Sequence, residues 1–517
     1  MQLTSPLSRR KVLEALALSP AGRAISTPFL FSRAEAEVSP DVVRFRAELE
    51  PLVSLIERTP RERCAEMTVE QLRRGVSYRQ VLAAVFLAGI RNINPRPPGF
   101  ALHCVFVIHS AHIIGMEAPA DARLLPLLYA LDQFKTSQER DARQPAGDYT
   151  MRAITGALPP PERAAAEFHA AMESWDSERA ERAVAACARY RSAAEVFAEL
   201  WRYGARDYRN IGHKAIFAAN ACRTLQAIGW QHAEPVLRSL TLALLDFGRQ
   251  QKVNGYSLDD QCYSANEKRL KDAFPRTALT WSAQDSDPGA VRSIVGVIRG
   301  STPEEACSDV AARLVKRQAS SGSVWDAVHL AAAELRMRAR NGAGLAAIHA
   351  VTSANALHYA YLDAAGPELR YLLLLQAVGW MTQFRTWAGS TPENLRTFHI
   401  ADLEPSSDGS DVERSISEIF AAIPADADRS LSRAFRLARD EGSRRIFLSA
   451  ALRQIAAKAD EVHYYKYLAA LIEDSALVSP EWQPHLVAAT VYYLKGANDA
   501  ETVPMKRARE ALRSLAV

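Results

Sequence analysis

The sequence has little cysteine and little net charge, and both shortages limit what the protein can be. Six cysteines are spread over 517 residues without a Cys-x-x-Cys pair, which argues against a disulfide scaffold and against a cysteine-rich zinc ribbon. The 63 lysines and arginines exceed the 59 aspartates and glutamates by only four, and no basic stripe with interleaved aromatic residues is present. We therefore expect no nucleic-acid partner.

Common catalytic signatures are also missing. The chain has no Gly-x-Gly-x-x-Gly, no P-loop, no Gly-x-Ser-x-Gly and no His-Glu-x-x-His. These absences argue against the usual dinucleotide, nucleoside triphosphate, serine-hydrolase and zinc-protease sites. Any chemistry must come from a different set of side chains.

Strand-like alternation is scarce, whereas apolar residues recur at helical spacing through most of the chain. The segment VFAELW at 196–201 is one example, with apolar side chains at its first, second, fifth and sixth positions. The pattern predicts an all-α fold, a multi-helix array around a histidine-lined core pocket. We divide it into an N-terminal segment (1–40), a helical body (41–400) and a C-terminal helical lobe (401–517).

The N-terminus is similar in part to an export signal. Residues 8–13 read SRRKVL, which resembles a twin-arginine motif, and residues 34–36 resemble a cleavage site. Glu14 and Arg23 interrupt the apolar region that should follow the arginines. We expect a cytoplasmic protein with a short amphipathic helix at this end, and the alternative is a periplasmic protein exported by the twin-arginine route.

One apolar stretch, residues 99–116, reads GFALHCVFVIHSAHIIGM. It is long enough to cross a bilayer, but His103, His109 and His112 lie within it. Polar rings of this kind are costly in lipid, so we expect a buried helix and no membrane span.

The spacing of the polar residues in this stretch recurs twice. The shared pattern is [His/Lys]-x5-[His/Asn]-x2-[His/Arg], and another apolar helix follows each instance. It predicts three related helical units near 77–134, 188–248 and 323–380. Low-complexity helical composition is the competing explanation. The three instances are His103-His109-His112, Lys214-Asn220-Arg223 and His349-Asn355-His358.

The last two positions of each instance are three residues apart, so they lie on one face of a helix. The first position precedes the last by nine residues, which places the two side chains on opposite faces of the helix. We therefore expect the first position to lie outside the cluster that the last two form. Three helices would then bring imidazole, amide and guanidinium groups to one closed pocket, as helix bundles do when they build metal sites. Imidazole ligands suit iron, copper and zinc. The predicted metal ligands are His109, His112 and His358.

The same residues can also work without a metal. A general acid–base site is the alternative, with Arg223 holding an anionic group of the substrate. A single buried histidine is, moreover, more often a hydrogen-bonded core residue than a ligand. We assign catalytic roles to one set of residues and substrate-binding roles to another. The first set is His109, His112, Asn355 and His358, and the second is His213, Asn220 and Arg223.

We assign no functional role to two further histidines. His463 forms a His-x2-Lys pair with Lys466 that is compatible with a decayed fourth unit, but a solvated or interfacial helix is the favoured interpretation. His329 has no supporting pattern, and we expect an ordinary residue there.

The two polar pairs on long apolar helices resemble a known family. Asn355-Ala356-Leu357-His358 and His109-Ser110-Ala111-His112 are similar to pairs in the questin oxidase-like family. The resemblance implies an oxygen-inserting oxidoreductase that acts on an aromatic or polycyclic ketone. We predict an oxidoreductase, metal-dependent or metal-free, with a small hydrophobic or aromatic substrate. The alternatives are a hydrolase or lyase with histidine acid–base chemistry, and a non-catalytic helical repeat protein that binds a protein partner.

Overall fold

The computed structural model describes residues 38–39, 41–143, 148–247, 252–253, 256–257, 260–277, 285–407, 409, 411–423 and 425–513. Within these residues the chain forms 22 α-helices, short 3-10 helices and one hairpin of two-residue strands, β1 (Lys252–Val253) and β2 (Tyr256–Ser257). The predicted all-α fold is confirmed. The twin-arginine-like segment and the cleavage-like site lie outside the described residues.

The helices are numbered in chain order. The first ten are α1 (Glu50–Arg58), α2 (Cys64–Arg73), α3 (Tyr78–Asn92), α4 (His103–Glu117), α5 (Leu125–Asp141), α6 (Ala164–Ser174), α7 (Ser177–Tyr190), α8 (Ala193–Arg206), α9 (His213–Ile228) and α10 (Ala233–Leu244). The next six are α11 (Asp260–Thr277), α12 (Pro288–Gly300), α13 (Pro303–Val315), α14 (Ser321–Arg338), α15 (Gly344–Asp363) and α16 (Pro367–Ala388). The last six are α17 (Val412–Ala422), α18 (Ala427–Ala438), α19 (Glu441–Lys458), α20 (Val462–Ser475), α21 (Gln483–Ala489) and α22 (Val503–Arg513).

Local sequence sets several of the helix starts. Ser77 begins α3 with a capping box, in which its Oγ accepts from the Gln80 N–H and the Gln80 side chain accepts from the Ser77 N–H. The same arrangement begins α8 at Ser192 and α13 at Thr302. Such caps satisfy N–H groups that have no partner in the first helical turn, so these starts follow from the sequence itself.

Four helices form the centre of the fold. α4 contacts α9, α9 contacts α15, α15 contacts α20, and α20 contacts α4, so the four close into a ring. α4 and α15 are apolar on nearly all sides, as expected for helices that other helices surround. α3 and α5 pack on α4, α8 and α10 pack on α9, and α14 and α16 pack on α15.

The ring contains helices from two of the three predicted segments, the helical body (41–400) and the C-terminal lobe (401–517). Each predicted unit comprises three consecutive helices, and the middle one (α4, α9 or α15) lies in the ring. That the units are related by repetition stays a prediction. The fourth ring helix, α20, comes from the 401–517 segment, so this segment supplies part of the central core.

The apolar stretch around α4 is accounted for by packing. Phe100–Glu117 is the one helical window in the described residues with the length and hydropathy of a membrane span, and 67% of it is buried inside the protein. Contacts with α3, α5, α9 and α20 bury it. α4 is therefore the core helix that the sequence predicts, and the described residues contain no clear membrane span.

Gly496 fits closely against the end of α17. A methyl group at this position would meet the carbonyl oxygen of Ile423 and lie 2.9 Å from that of Phe420. The neighbouring backbone is tied in place because the Ala497 N–H donates to the Phe420 carbonyl at 2.7 Å. We expect Gly496→Ala to lower the free energy of unfolding by about 2–3 kcal/mol, measured by urea denaturation.

Gly296 offers a matched control in the interior of α12. Nothing lies within 4 Å of a methyl group built there. Alanine is the better helix former, so Gly296→Ala should raise the free energy of unfolding by about 0.5–1 kcal/mol. Equal stability of the two variants would contradict the packing described here.

Candidate functional site

Four histidines meet at one end of the helix ring. His103 and His213 are the first residues of α4 and α9, His463 is the second residue of α20, and His349 lies in the second turn of α15. We call this group the histidine layer. His213 Nε2 lies 2.8 Å from His103 Nε2 and 3.0 Å from His349 Nε2. The His463 ring centroid lies 4.9 Å from that of His103 and 5.2 Å from that of His349.

The backbone before α4 and α9 allows this close approach. Gly99 has a φ of 117°, and a methyl group there would lie 3.1 Å from the His213 ring. Asn210 and Ile211 precede α9 with φ values of 61° and 51°. A left-handed conformation is costly for a β-branched residue, and strain of this kind collects at functional sites. The turn before α9 therefore marks this end of the ring as a candidate site.

Two rings of the histidine layer have fixed tautomers. His213 Nδ1 lies 2.6 Å from the Asn210 carbonyl oxygen, and His349 Nδ1 lies 2.8 Å from that of Leu345. A carbonyl oxygen only accepts, so each Nδ1 carries a hydrogen and donates it. Burial, with the nearby Lys466 and the other histidines, holds the pKa of both rings well below the usual range, so both are neutral. Their two Nε2 lone pairs therefore face each other at 3.0 Å.

A carboxylate orients the fourth ring. His463 Nδ1 donates to Glu461 Oε2 at 2.6 Å, and the hydroxyl of Tyr493 donates to the other oxygen of the same carboxylate. Burial would raise the pKa of Glu461, but the hydrogen bonds from His463 and Tyr493 lower it, so Glu461 is ionised. His463 Nε2 is buried and has no hydrogen-bond partner. This nitrogen is therefore available to a bound group.

Lys466 lies beside the histidine layer, one turn further along α20. Its side chain is buried, and its Nζ has no hydrogen-bond partner and lies 5.5 Å from the centroid of the Phe106 ring. Phe106 in turn stacks on His213, with the centroids 5.7 Å apart. Burial lowers the pKa of Lys466 to about 7 against the opposing effect of Glu461, so a large share of the amine is uncharged near neutral pH.

The other polar residues of the ring form a second group, which we call the acid layer because it surrounds Glu473 and Asp474. His109 Nε2 donates to Glu473 Oε1 at 3.0 Å, and Asn355 Nδ2 donates to Glu473 Oε2 at 3.2 Å and to Asp474 Oδ1 at 2.8 Å. Arg223 Nη2 lies 3.5 Å from Glu473 Oε2. Six residues along a helix span about 9 Å, so the acid layer lies about that far below the histidine layer.

Arg223 connects the members of the acid layer. Its Nη1 donates to Asn355 Oδ1 at 2.8 Å and to Asn220 Oδ1 at 3.3 Å. Burial alone would raise the pKa of Glu473, but Arg223, and after it His109 and Asn355, lower it to about 2. Glu473 is thus a carboxylate whose charge the guanidinium compensates.

His358 joins the acid layer through His329. His358 Nδ1 lies 2.7 Å from His329 Nε2, and His329 Nδ1 lies 3.2 Å from Asp474 Oδ2. Trp325 stacks on His358 with the centroids 4.1 Å apart. Burial, followed by His329 and Arg223, keeps the pKa of His358 well below its usual range. His329, which we expected to be an ordinary residue, is a member of this network.

His112 lies apart from both layers. Its Nδ1 is 3.1 Å from the hydroxyl of Tyr78, and burial, with a smaller effect of His109, lowers its pKa to about 4. The three residues predicted as metal ligands thus have different partners, namely Glu473 for His109, Tyr78 for His112 and His329 for His358.

The structure brings together a different set of imidazoles. His103, His213 and His349 are the one group of His, Cys, Asp and Glu in the described residues with ligand atoms spaced to hold a metal ion, all within 4.8 Å of one another. Two of them occupy the first position of the repeated pattern, which we expected to lie outside the cluster. They do lie apart from the acid layer, but they form a second cluster of their own. His213, predicted to bind substrate, belongs to that cluster.

Comparisons with known proteins do not assign the chain to a family or a function. No family model, no curated protein and no solved structure matches the chain.

Proposed function

We propose that the protein is a metal-dependent oxidoreductase whose metal ion is held by His103, His213 and His349. One observation carries the proposal. His213 Nε2 and His349 Nε2 lie 3.0 Å apart, while the Nδ1 of each ring donates to a backbone carbonyl oxygen, so in the neutral rings both Nε2 atoms present lone pairs. Two lone pairs repel at that distance, and a shared cation turns the repulsion into attraction.

The residues present fit a transition-metal ion. Metal–nitrogen bonds of about 2.1 Å separate neighbouring ligand nitrogens by about 3.0–3.4 Å, depending on the coordination geometry. The distance from His213 Nε2 to His349 Nε2 is 3.0 Å, at the lower end of that range, and the distance to His103 Nε2 is 2.8 Å, slightly below it. The nitrogen opposite the donor is hydrogen-bonded in His213 and His349, which is the usual support for a metal-binding histidine.

Two orphaned polar atoms support a bound group at the same place. His463 Nε2 and Lys466 Nζ are both buried without a hydrogen-bond partner, a costly arrangement in an apolar interior. A bound group would supply the partner that His463 Nε2 lacks. The low pKa of Lys466 limits the positive charge that a cation would meet there.

The donor set is compatible with a redox-active metal. An all-imidazole set suits iron and copper as well as zinc, and a bound iron or copper ion supplies electron transfer and oxygen chemistry. Apolar rings line this end of the ring, since Phe106 stacks on His213 and contacts Phe217. The resemblance to the questin oxidase-like family implies oxygen insertion into an aromatic or polycyclic ketone, but the residues that carry it, His109, His112, Asn355 and His358, lie outside the histidine layer.

The acid layer supports the rival function, a non-catalytic helical scaffold that binds a protein partner. His109, Asn355 and Arg223 all have partners within the protein and hold the ring helices to one another. If the histidine layer is of the same kind, the protein needs no metal. The metal content of the protein separates the two functions.

Metal analysis of protein purified without chelators or an affinity metal tests the proposal. We expect close to one equivalent of iron or copper per chain, with an electron paramagnetic resonance signal that changes on reduction with dithionite and returns in air. Stoichiometric zinc, or failure to take up iron, copper or zinc on reconstitution, would overturn the oxidoreductase assignment.

A further inference from the structure

A cleft of about 530 Å³ is lined in part by Tyr464, the residue that follows His463 of the histidine layer. It lies between the end of α14, the start of α18 and the segment that follows α21. This volume is in the range of small-molecule sites. The residues that line it include aromatic and charged side chains, among them Arg336, Arg340, Asp428, Tyr464, Tyr492 and Tyr493.

Tyrosine rings and a guanidinium group form one wall of the cleft. Tyr464 stacks on Tyr493 with centroids 4.4 Å apart and the ring planes inclined by 22°. The guanidinium carbon of Arg336 lies 5.7 Å from the centroids of both Tyr492 and Tyr493. A flat ligand can extend this stack, because aromatic rings and guanidinium groups both offer planar faces.

The charges around the cleft are unevenly compensated. Asp428 already accepts from Arg396, Arg340 and Tyr492, and Asp426 caps α18 by accepting the Arg429 N–H. Arg336 has no carboxylate within 4 Å among the described residues. Its Nη2 donates to the Tyr492 carbonyl oxygen at 2.7 Å, and its buried Nε has no hydrogen-bond partner. The cleft therefore presents one cation whose counter-charge is missing.

We propose that this cleft binds an aromatic carboxylate, with its ring against Tyr492 and Tyr493 and its carboxylate on Arg336. A guanidinium group favours a carboxylate over a neutral oxygen because the hydrogen bond is charge-assisted. The tyrosine faces favour an aromatic body over an aliphatic one.

The same wall leads to the histidine layer. Tyr493 donates to Glu461, and Glu461 accepts from His463, so a ligand that contacts Tyr493 is two hydrogen bonds from the histidine layer. That the bound carboxylate is the substrate of the oxidoreductase rests on the proposed function. Ligand binding itself does not depend on it.

Calorimetric titration with three probes tests the cleft, using the protein as purified and again after treatment with a chelator. We expect 2-naphthoate to bind at least about tenfold more tightly than 2-naphthalenemethanol, which lacks the charge, and than cyclohexanecarboxylate, which lacks the aromatic ring. The chelator should leave this ranking unchanged. Equal affinity for naphthoate and either comparison compound would overturn the proposal. The protein can prove to contain no metal while the ranking of the three probes still holds, so the two proposals are tested separately.

Two substitutions locate the binding site. Arg336→Met should weaken 2-naphthoate binding by about tenfold or more, and Arg336→Lys should restore part of the loss because it keeps the charge. Arg445→Met is the matched control, since Arg445 lines a different cleft beside Ile446 and Arg453. An equal loss in the control, or no loss with Arg336→Met, would overturn the assignment. Should Arg336→Met fail to fold, the ranking of the three probes on the natural protein still decides.

Discussion

Replacing His213 with alanine is expected to abolish tight metal binding. His213 Nε2 is the central donor of the histidine layer, 2.8 Å from His103 Nε2 and 3.0 Å from His349 Nε2. Loss of a second-shell partner alone typically weakens metal binding by about 10–100-fold, so loss of the central ligand should cost about 100-fold or more. Calorimetric titration of the metal-free protein with Fe(II), Cu(II) and Zn(II) measures the loss of metal affinity.

His109→Ala is the informative comparison, because the sequence pattern predicts His109 as a metal ligand. The structure pairs it with Glu473 in the acid layer, so the substituted protein should keep metal affinity close to that of the natural one. His169→Ala serves as a surface control, since the His169 side chain is 51% exposed and far from the ring helices in sequence. If His109→Ala loses the metal and His213→Ala keeps it, the histidine layer is not the metal site.

The helical periodicity of the sequence was sufficient for the fold class, and the spacing of its polar residues selected three of the four ring helices. Three of the four were identified by their polar residues: α4, α9 and α15. The reason is physical, since a helix that is apolar on all sides must be buried, and polar residues within it must find partners inside the core. The fourth helix, α20, carries two polar positions of the same kind, His463 and Lys466, which we assigned to a solvated or interfacial helix.

The division into two layers could not be derived from spacing along one helix. His103 and His109 point in different directions and lie about 9 Å apart along the axis, so each needs partners at its own level on other helices. Those partners are distant in sequence. Glu473 is 364 residues from His109, and it lies in the segment that we had set aside as a C-terminal lobe. The repeated pattern contains no carboxylate, so it could not predict that Glu473 completes the acid layer.

One signal in the sequence did point to the histidine layer. His103 and His349 are related by the same offset of 246 residues as His109 and Asn355, and His213 is displaced by one residue from the corresponding Lys214. Lys214 is also buried, but its Nζ pairs with Asp207 at 2.9 Å and with the Leu244 carbonyl oxygen at 3.0 Å. The helix start at His213, after three left-handed residues, decides which of the two side chains reaches the layer.

Removing the guanidinium group of the acid layer should destabilise the fold strongly. Arg223→Met leaves the largely buried carboxylate of Glu473 without its countercharge and Asn355 without a donor. Breaking one partner of a buried ion pair costs about 3–5 kcal/mol, because the remaining charge stays desolvated. We expect a loss of about that size in the free energy of unfolding, measured by urea denaturation near pH 7.

A double substitution separates the ion pair from the packing of the long side chain. Arg223→Met together with Glu473→Gln removes both charges and keeps similar volumes, so it should recover about half or more of the loss. A double variant no more stable than Arg223→Met would mean that the guanidinium acts through its packing on Tyr359, 4.2 Å from the ring centroid, and not through Glu473.

The pH dependence of the stability is an independent test of the ion pair between Arg223 and Glu473. The pKa of Glu473 is lowered to about 2 in the folded protein, so its contribution is present above the pKa of the unfolded chain and is lost as the pH falls from about 4.5 towards 2. The shift corresponds to about 2–3 kcal/mol after allowance for partial exposure of the side chain. The natural protein should lose this stability in acid, whereas Glu473→Gln should lose correspondingly less over the same interval. Parallel acid profiles of the two proteins would show that Glu473 is not the carboxylate that Arg223 holds ionised, and the acid layer would then have to be stabilised chiefly by its neutral hydrogen bonds.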